Sequence, residues 1–338
     1  MTVRHYRSGD ETLIQSLFKK TFDQEMTFST WKWKFIDNPK QKQPFILVYE
    51  ENGHILGHIS LWVTEAFING EKKKIGLRVD TMVDPDARGK GIYKKLNTSL
   101  IEEADQAGID FLYGFPAPKA KELFLRYTGG THMTDMPRWM YVQKPLSLLA
   151  SKFKPLKLLQ PLDQLYTRIR QSKQVESDYE IRTIHQCDET FDQLAELAKH
   201  QSHAMIVRDS QYLNWRFFDH PAKDYVMQGL YREDELQGYV VTHQAQGAFH
   251  NGLIIDWLAI EEAIWPHLLH HAMNELHQTD VIQTWALPHT TAAKALKAKG
   301  FVHKDSPMPL VGKEIAGHAA ELNDAEKWFI TPGDVDSF

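Results

Sequence analysis

An internal repeat constrains the fold of this chain more than any other sequence feature. The segment WKFIDNP at 33–39 recurs as WRFFDHP at 215–221. Two further pairs follow in the same order: GLRVDTMVD at 76–84 with GLIIDWLAI at 252–260, and AKEL at 120–123 with AKAL at 293–296. Shared order with slightly drifting spacing is typical of a duplicated domain. We therefore predict two copies of one fold in tandem.

Hydrophobic periodicity in the first copy predicts the element order β, α, α, β, β, β, α, β, α, β. Apolar residues at helical spacing, such as Leu13 and Leu17, alternate with β-branched runs, and Asn-Gly turns at 52–53 and 69–70 separate consecutive strands. The fold class is thus α/β, with a mixed, mostly antiparallel sheet flanked by helices in each copy. The expected boundaries are a first domain at 1–145, a linker with some helix at 146–178, a second domain at 179–312 and a tail at 313–338.

Net charge, cysteine content and the lengths of the apolar runs exclude several classes of protein. The 338 residues carry a net charge of −5, which provides no overall basic field for nucleic acid. The single cysteine, Cys187, has no intramolecular disulfide partner, which fits a reducing compartment. The sequence contains neither a signal-peptide pattern nor an apolar run long enough to span a membrane. We therefore expect a cytoplasmic protein with no membrane partner.

The two copies differ most clearly after their shared strand. The first continues as DPDARGKGIYKK from Asp84, whereas the second continues as EEAIWPHLLHH from Glu261. A glycine-containing turn at a strand-to-helix junction leaves backbone N–H groups free to bind an anion. The spacing fits neither a Walker loop nor a dinucleotide fingerprint. The sequence predicts a phosphate site in the first copy, with a merely charged helix start as the alternative.

The segment VDPDARGKGI at 83–92 resembles motif A of the GNAT acetyltransferase superfamily, with hydrophobic residue, x, Pro, x, x, Arg, Gly, x, Gly and Ile in register. The segment GFPAPKAKELFLRYTGG at 114–130 is similar to the family's later strand and helix. The resemblance covers about residues 1–145 and reaches the second copy through the repeat alone. It implies a first domain that binds acetyl-CoA as co-substrate and a degenerate GNAT-like second domain.

The resemblance also implies which residues contact the co-substrate. Backbone groups of Met82 and Val83 would pair with the pantetheine arm as an added strand does. The pyrophosphate would be wrapped by Arg88, Gly89, Lys90, Gly91 and Ile92. The sequence departs from the family at Tyr93, where Gly or Ala is frequent.

Transfer to an amine needs a base for the amine proton, donors for the oxyanion and an acid for the departing thiolate. The oxyanion donor that we expect is the N–H of Val83. Tyr127 is the candidate acid, although the positions that match the family's tyrosine hold Phe124 or Leu125. Asp80 is the candidate base and Glu65 the runner-up. Because the second copy repeats Asp80 as Asp256, a structural role for Asp80 stays open.

The resemblance thus implies an acetyl-CoA-dependent N-acetyltransferase acting on a primary amine of a small molecule, such as an amino sugar. The alternatives are a non-catalytic acyl-CoA sensor and a Fem-type aminoacyl transferase. No metal site is expected, because the histidines at 267, 270, 271 and 277 have no acidic or cysteine partners in the pattern. The second copy is expected to shape the acceptor cleft or a homodimer. The tail, with Asp334 and Asp336, either folds back toward a cationic amine or is a frayed acidic end.

Overall fold

The computed structural model describes residues 2–150, 163, 178–247, 249–315, 317 and 319–338. The linker predicted for 146–178 therefore lies outside the described residues, apart from 146–150, Asp163 and Asp178. Among the described residues, no helix combines the length and the apolar character needed to cross a bilayer.

The first half has the element order that the hydrophobic pattern predicts. Its elements are β1 Thr2–His5, α1 Glu11–Phe22, α2 Phe28–Phe35, β2 Phe45–Glu51, β3 His54–Ile68, β4 Glu71–Val83, α3 Ile92–Gln106, β5 Phe111–Gly114, α4 Pro118–Thr128 and β6 Thr131–Val142. A further helix, α5, covers Pro145–Ala150.

The second half repeats this order and adds two short strands. Its elements are β7 Glu180–Ile184, α6 Glu189–Ala198, β8 Ala204–Ile206, α7 Ser210–Leu213 with a π-helical continuation at Asn214–Phe218, β9 Val226–Arg232, β10 Glu235–Ala245, β11 Asn251–Ala259, α8 Trp265–Glu275, β12 Val281–Trp285, α9 Thr291–Lys299, β13 Val302–Glu314 and β14 Trp328–Phe329. The additional strands β8 and β14 pair with each other, and β8 also pairs with β3.

The two halves share one continuous sheet with the strand order β1-β2-β3-β4-β5-β13-β6-β12-β11-β10-β9-β7. Along this order the neighbours are antiparallel except for β4–β5 and β11–β12, which are parallel. Strand β13 of the second half pairs with β5, and β6 of the first half pairs with β12. Strand β6 of the first half therefore extends the sheet of the second half, and β13, its counterpart in the repeated order, extends the sheet of the first half. The mixed, mostly antiparallel architecture predicted from the sequence is confirmed, but this exchange was not predicted.

The repeated tryptophans meet at the centre of the molecule. The indole N–H of Trp33 donates to the carbonyl oxygen of Trp215 at 2.7 Å, and that of Trp215 donates to the carbonyl oxygen of Trp33 at 2.9 Å. Their rings stack with centroids 5.3 Å apart. A reciprocal contact between equivalent residues is the signature of a twofold relation. The WKF and WRF segments therefore lie beside a pseudo-twofold axis between the halves.

Helix α3 is fixed on the first half of the sheet by an apolar stripe at a spacing of four residues. Ile92, Leu96, Leu100 and Ala104 are buried in one cluster against β2 and β3. At Gly57 of β3, an added Cβ would lie 2.7 Å from Cγ2 of Ile92. The close approach lets the first turn of α3 pack directly on the strand, which fixes the start of the helix relative to the end of β4.

Candidate active site

The glycine segment after β4 is an open loop. A 3-10 turn at Pro85–Ala87 follows Asp84, whose side chain accepts a hydrogen bond from the N–H of Asp86 at 2.9 Å. Gly89 and Gly91 have φ values of +86° and +74°, and an added Cβ would meet no atom within 4 Å at either position. Glycine is therefore required by backbone conformation and not by crowding, and the space in front of the loop is free.

The loop presents unused donors at the start of α3. The first N–H of this region with a described acceptor is that of Lys95, which donates to the carbonyl oxygen of Gly91 at 3.1 Å. No hydrogen bond between described residues uses the backbone N–H groups of residues 89–94. Arg88 and Lys90 are exposed beside them, whereas Ile92 is buried beneath the helix. Free N–H groups, a helix N-terminus and two cations together make a suitable site for a phosphate group.

Strands β4 and β5 separate next to this loop. Their parallel pairing runs from Ile75 and Phe111 to Leu77 and Tyr113. Beyond that point, β4 pairs with β3 on one side and leaves its other edge without a strand partner among the described residues. The unpaired edge covers residues 78–83, which end directly at the glycine loop.

The unpaired part of β4 contains a β-bulge at Asp80. The register with β3 shifts between His58 and Ser60, and Asp80 has a φ of +45°. Two buried side chains of β3 stabilise the bulge. The hydroxyl of Ser60 donates to the carbonyl oxygen of Val79 at 2.8 Å. Nδ1 of His58 lies 2.7 Å from the carbonyl oxygen of Asp80. Because a carbonyl only accepts, His58 carries its proton on Nδ1. Burial lowers the pKa of His58 to about 4, so the ring is neutral at physiological pH.

After the bulge, backbone groups of β4 point alternately toward β3 and toward the opening beside the unpaired edge. The N–H of Asp84 donates to the carbonyl oxygen of Leu56 on β3 at 2.9 Å. Since backbone groups alternate along an antiparallel ladder, those of Met82 also point toward β3, and those of Thr81 and Val83 point toward the opening. The structure therefore places the N–H of Val83 at the free edge and turns the backbone of Met82 away from it.

A cleft of about 250 Å³ lies where β4 and β5 separate. Its lining contains aromatic side chains, one arginine and two carboxylates: Phe22, Tyr93, Phe115, Phe124, Arg78, Asp80 and Asp336. Asp336 reaches the cleft because the tail folds back onto the molecule, which was one of the two arrangements considered from the sequence.

The two carboxylates share one buried lysine. Nζ of Lys34 lies 2.7 Å from Oδ2 of Asp80 and 2.7 Å from Oδ2 of Asp336. Burial opposes the charge of Lys34, but the two carboxylates together raise its pKa above the ordinary value. Burial also raises the pKa of Asp80, and Lys34 counteracts this shift. With both carboxylates ionised, this group of three has one net negative charge. Arg78, the other cation of the lining, is directed to Asn97 and Phe124, so the carboxylates remain available to a cationic ligand.

Tyr93 occupies the wall of the cleft nearest the loop. Burial raises the pKa of its phenol, and the adjacent guanidinium of Arg78 opposes that shift. Arg78 donates to Oδ1 of Asn97 at 2.7 Å and lies over the ring of Phe124. The candidate acid Tyr127, on α4, is not among the residues that line this cleft, and its ring centroid lies 6.1 Å from that of Tyr93. The structure thus lines the cleft with the tyrosine whose bulk departs from the family pattern.

The other predicted catalytic residue is distant from the cleft. Glu65 lies on β3 opposite Lys74, with its carboxylate 3.7 Å from Nζ of Lys40. On β3, the residue opposite the bulge at Asp80 is Ile59. Glu65 lies six residues further along the same strand, which is about 20 Å when extended. The structure brings Asp80 and Val83 together at the opening and the glycine loop beside them, but it does not bring Glu65 there.

The sequence match agrees with this arrangement. Residues 2–123 match the family model described as an acetyltransferase (GNAT) domain. This part of the chain is therefore similar to GNAT acetyltransferase domains, and the similarity supports an acyltransferase. A comparison with curated proteins finds no significant relative.

Solved structures share the fold over nearly the whole chain. A GCN5-related N-acetyltransferase from Anabaena variabilis superposes with a TM-score of 0.69 at 12% identity, covering 93% of this chain and 72% of the other. Eis1 from Mycobacterium abscessus gives a TM-score of 0.61 at 13% identity, covering 96% and 76%. The Saccharomyces cerevisiae N-myristoyltransferase, solved with bound myristoyl-CoA, gives 0.55 at 10% identity, covering 90% and 79%.

Proposed function

We propose that the protein transfers an acetyl group from acetyl-CoA to a primary amine of a small molecule in the cleft between β4 and β5. The observation that carries the proposal is the unpaired edge of β4, which runs from the buried carboxylate of Asp80 to the glycine loop. An extended arm can add to such an edge as a further strand, using the backbone of Val83. The phosphates would then bind the free N–H groups of residues 89–94.

The expected reaction needs no covalent enzyme intermediate. Acetyl-CoA supplies the thioester, and the amine enters as an ammonium ion attracted by Asp80 and Asp336. Asp80 takes the proton, because a buried carboxylate with a raised pKa is a stronger base than an exposed one. The free amine attacks the thioester carbonyl, and the N–H of Val83 stabilises the oxyanion. As the carbon–sulfur bond breaks, the thiolate takes a proton from a tyrosine, for which Tyr127 and Tyr93 are the candidates. The remaining phenolate takes the second proton of the attacking nitrogen, which leaves the neutral amide.

The test is thiol release from acetyl-CoA by the purified chain with a panel of primary amines. We expect amine-dependent release that is weakened by Arg88→Glu and by Gly91→Val, through a KM for acetyl-CoA raised at least about tenfold, or about 1.4 kcal/mol. Arg88→Glu reverses a charge beside the free donors. Gly91→Val forces a β-branched residue into a left-handed conformation and distorts the loop.

Each variant has a matched control elsewhere in the chain. Lys304→Glu reverses an exposed charge on β13, and Gly53→Val places valine at a φ of +77° in an equally open turn. An acetyl-CoA KM that is the same in the loop variants as in these controls contradicts the phosphate site. Acetyl-CoA binding without turnover favours the sensor. No thiol release, together with transfer of an aminoacyl group to the amine from aminoacyl-tRNA, favours the Fem-type reaction.

A further inference from the structure

The second half contains the counterpart of the cleft in the first half. The parallel pairing of β11 with β12 ends at Leu253 and Gln283, and the strands separate beyond them as β4 and β5 do. By the repeat, Asp256 corresponds to Asp80 and Arg216 corresponds to Lys34. The remaining cavity is about 40 Å³, against about 250 Å³ in the first half.

Residues 331–338, which we call the tail segment, fill this second opening. Pro332 and Phe338 form part of the cavity wall, and the ring of Phe338 meets that of Trp285 edge-on with centroids 4.9 Å apart. At Gly333, an added Cβ would lie 3.1 Å from the Cβ of Asp256. The tail segment is therefore packed into the opening as closely as a core element.

The carboxylate of Asp256 is occupied by three buried hydrogen-bond donors, one of which belongs to the tail segment. It accepts hydrogen bonds from Arg208 at 3.0 Å, from the hydroxyl of Tyr239 at 2.6 Å and from that of Thr331 at 2.7 Å. Arg208 also pairs with Asp334 at 2.7 Å. Asp80, by contrast, has Lys34 as its one side-chain partner among the described contacts. The equivalent carboxylates thus have different roles in the two halves.

Arg216 and Lys34, which the repeat relates, both bind the tail segment. The buried guanidinium of Arg216 donates to the carbonyl oxygens of Gly333 at 3.0 Å, Val335 at 2.9 Å and Phe338 at 2.7 Å. Lys34 donates to the carboxylate of Asp336 at 2.7 Å. The segment therefore passes between the two clefts, with Phe338 in the second and the carboxylate of Asp336 in the first.

We propose that the cleft of the second half is a socket for the tail segment, and that through it the second half fixes Asp336 as a contact for the acceptor amine. Phe338 and Arg216 are then positioning residues. The ligand class that this implies is an amine that enters as a cation, because Asp80 and Asp336 have only Lys34 as a shared cation, and Arg78 is directed to Asn97 and Phe124. The inference rests on the proposed function, since it assigns a role within the same reaction.

The test is steady-state kinetics on the full chain with the variants Asp336→Asn, Phe338→Ala and their combination. Asp336→Asn is expected to raise the KM of the amine at least about tenfold, with the KM of acetyl-CoA unchanged. Phe338→Ala is also expected to raise the KM of the amine. The combination is expected to raise it no further than Asp336→Asn alone, because both changes remove the same interaction with the amine. The control is Ser337→Ala, whose exposed side chain lies between them.

Three results would overturn the socket. The first is an amine KM in Asp336→Asn and Phe338→Ala equal to that of Ser337→Ala. The second is a further, independent rise in the amine KM when Phe338→Ala is added to Asp336→Asn. The third uses amide hydrogen exchange and needs no activity: exchange in residues 331–338 that is no faster in Phe338→Ala than in the unaltered chain. If the unaltered chain shows no amine-dependent turnover, the proposed function fails, and the exchange experiment still decides whether the second cleft holds the tail segment.

Discussion

Replacing Lys34 with methionine tests the account of the buried charges. Lys34 is enclosed between Asp80 and Asp336, and methionine keeps most of its volume while removing its charge. The buried carboxylate of Asp80 and the half-buried carboxylate of Asp336 are then left without their shared cation. Removing one partner of a buried ion pair costs about 3–5 kcal/mol, so we expect a loss of that size in the free energy of unfolding at pH 7.

The measurement is urea denaturation followed by tryptophan fluorescence, with the control Lys32→Met on the same helix. Lys32 is exposed and pairs with Asp37 at the surface, and such pairs contribute about 0–1 kcal/mol. The double variant Lys34→Met with Asp336→Asn should recover part of the loss, because it removes one of the uncompensated charges. If Lys34→Met is destabilised no more than Lys32→Met, or if the double variant recovers nothing, the reasoning is wrong.

Two further predictions concern the surroundings of the cleft. His58 is buried neutral with a folded pKa of about 4, below its ordinary 6.5, so its contribution to stability is present above pH 6.5 and is lost as the pH falls from 6.5 to 4. Between pH 7 and pH 4, the free energy of unfolding of His58→Asn should therefore fall by about 3 kcal/mol less than that of the unaltered chain, measured by urea titration. Parallel pH profiles of the two proteins would contradict this. Gly57→Ala places a Cβ 2.7 Å from Ile92, which should destabilise the fold by about 1–3 kcal/mol. It should also raise the KM for acetyl-CoA by displacing the start of α3, and an unchanged KM would show that the loop does not depend on this contact.

The fold of the first half was predictable because its signals are local. Periodicity and turn residues place β1 to β6, and the two glycines after Arg88 adopt the positive φ that their pattern predicts. The strand exchange has no local signal. Strands β6 and β13 both follow the last helix of their half, so the order of elements does not decide whether β5 pairs with one or with the other.

The candidate site was predictable in part for the same reason. Asp80 and Val83 belong to the segment with the glycine motif, and the structure places them beside the loop. Glu65 was chosen for lying on the neighbouring strand, but strand length carries it away from the cleft. Lys34 was not assigned to the site, and for Asp336 a tail folded toward the amine and a frayed end both stayed open, because the meeting of these residues depends on how α2 and the tail segment pack. The repeat contained one usable signal: Lys34 aligns with Arg216, so a cation recurs beside the central tryptophans.

The strand exchange has a consequence for synthesis of the chain. Strand β5, at Phe111–Gly114, obtains its outer neighbour from Val302–Glu314, so a ribosome must translate almost the whole sequence before the first sheet is complete. Until then β5 presents an unpaired edge, which is a liability for association between chains. Pairing between elements so distant in sequence also slows folding. We therefore expect acyl transfer to appear late after synthesis, as a property of the finished molecule and not of its first domain in isolation.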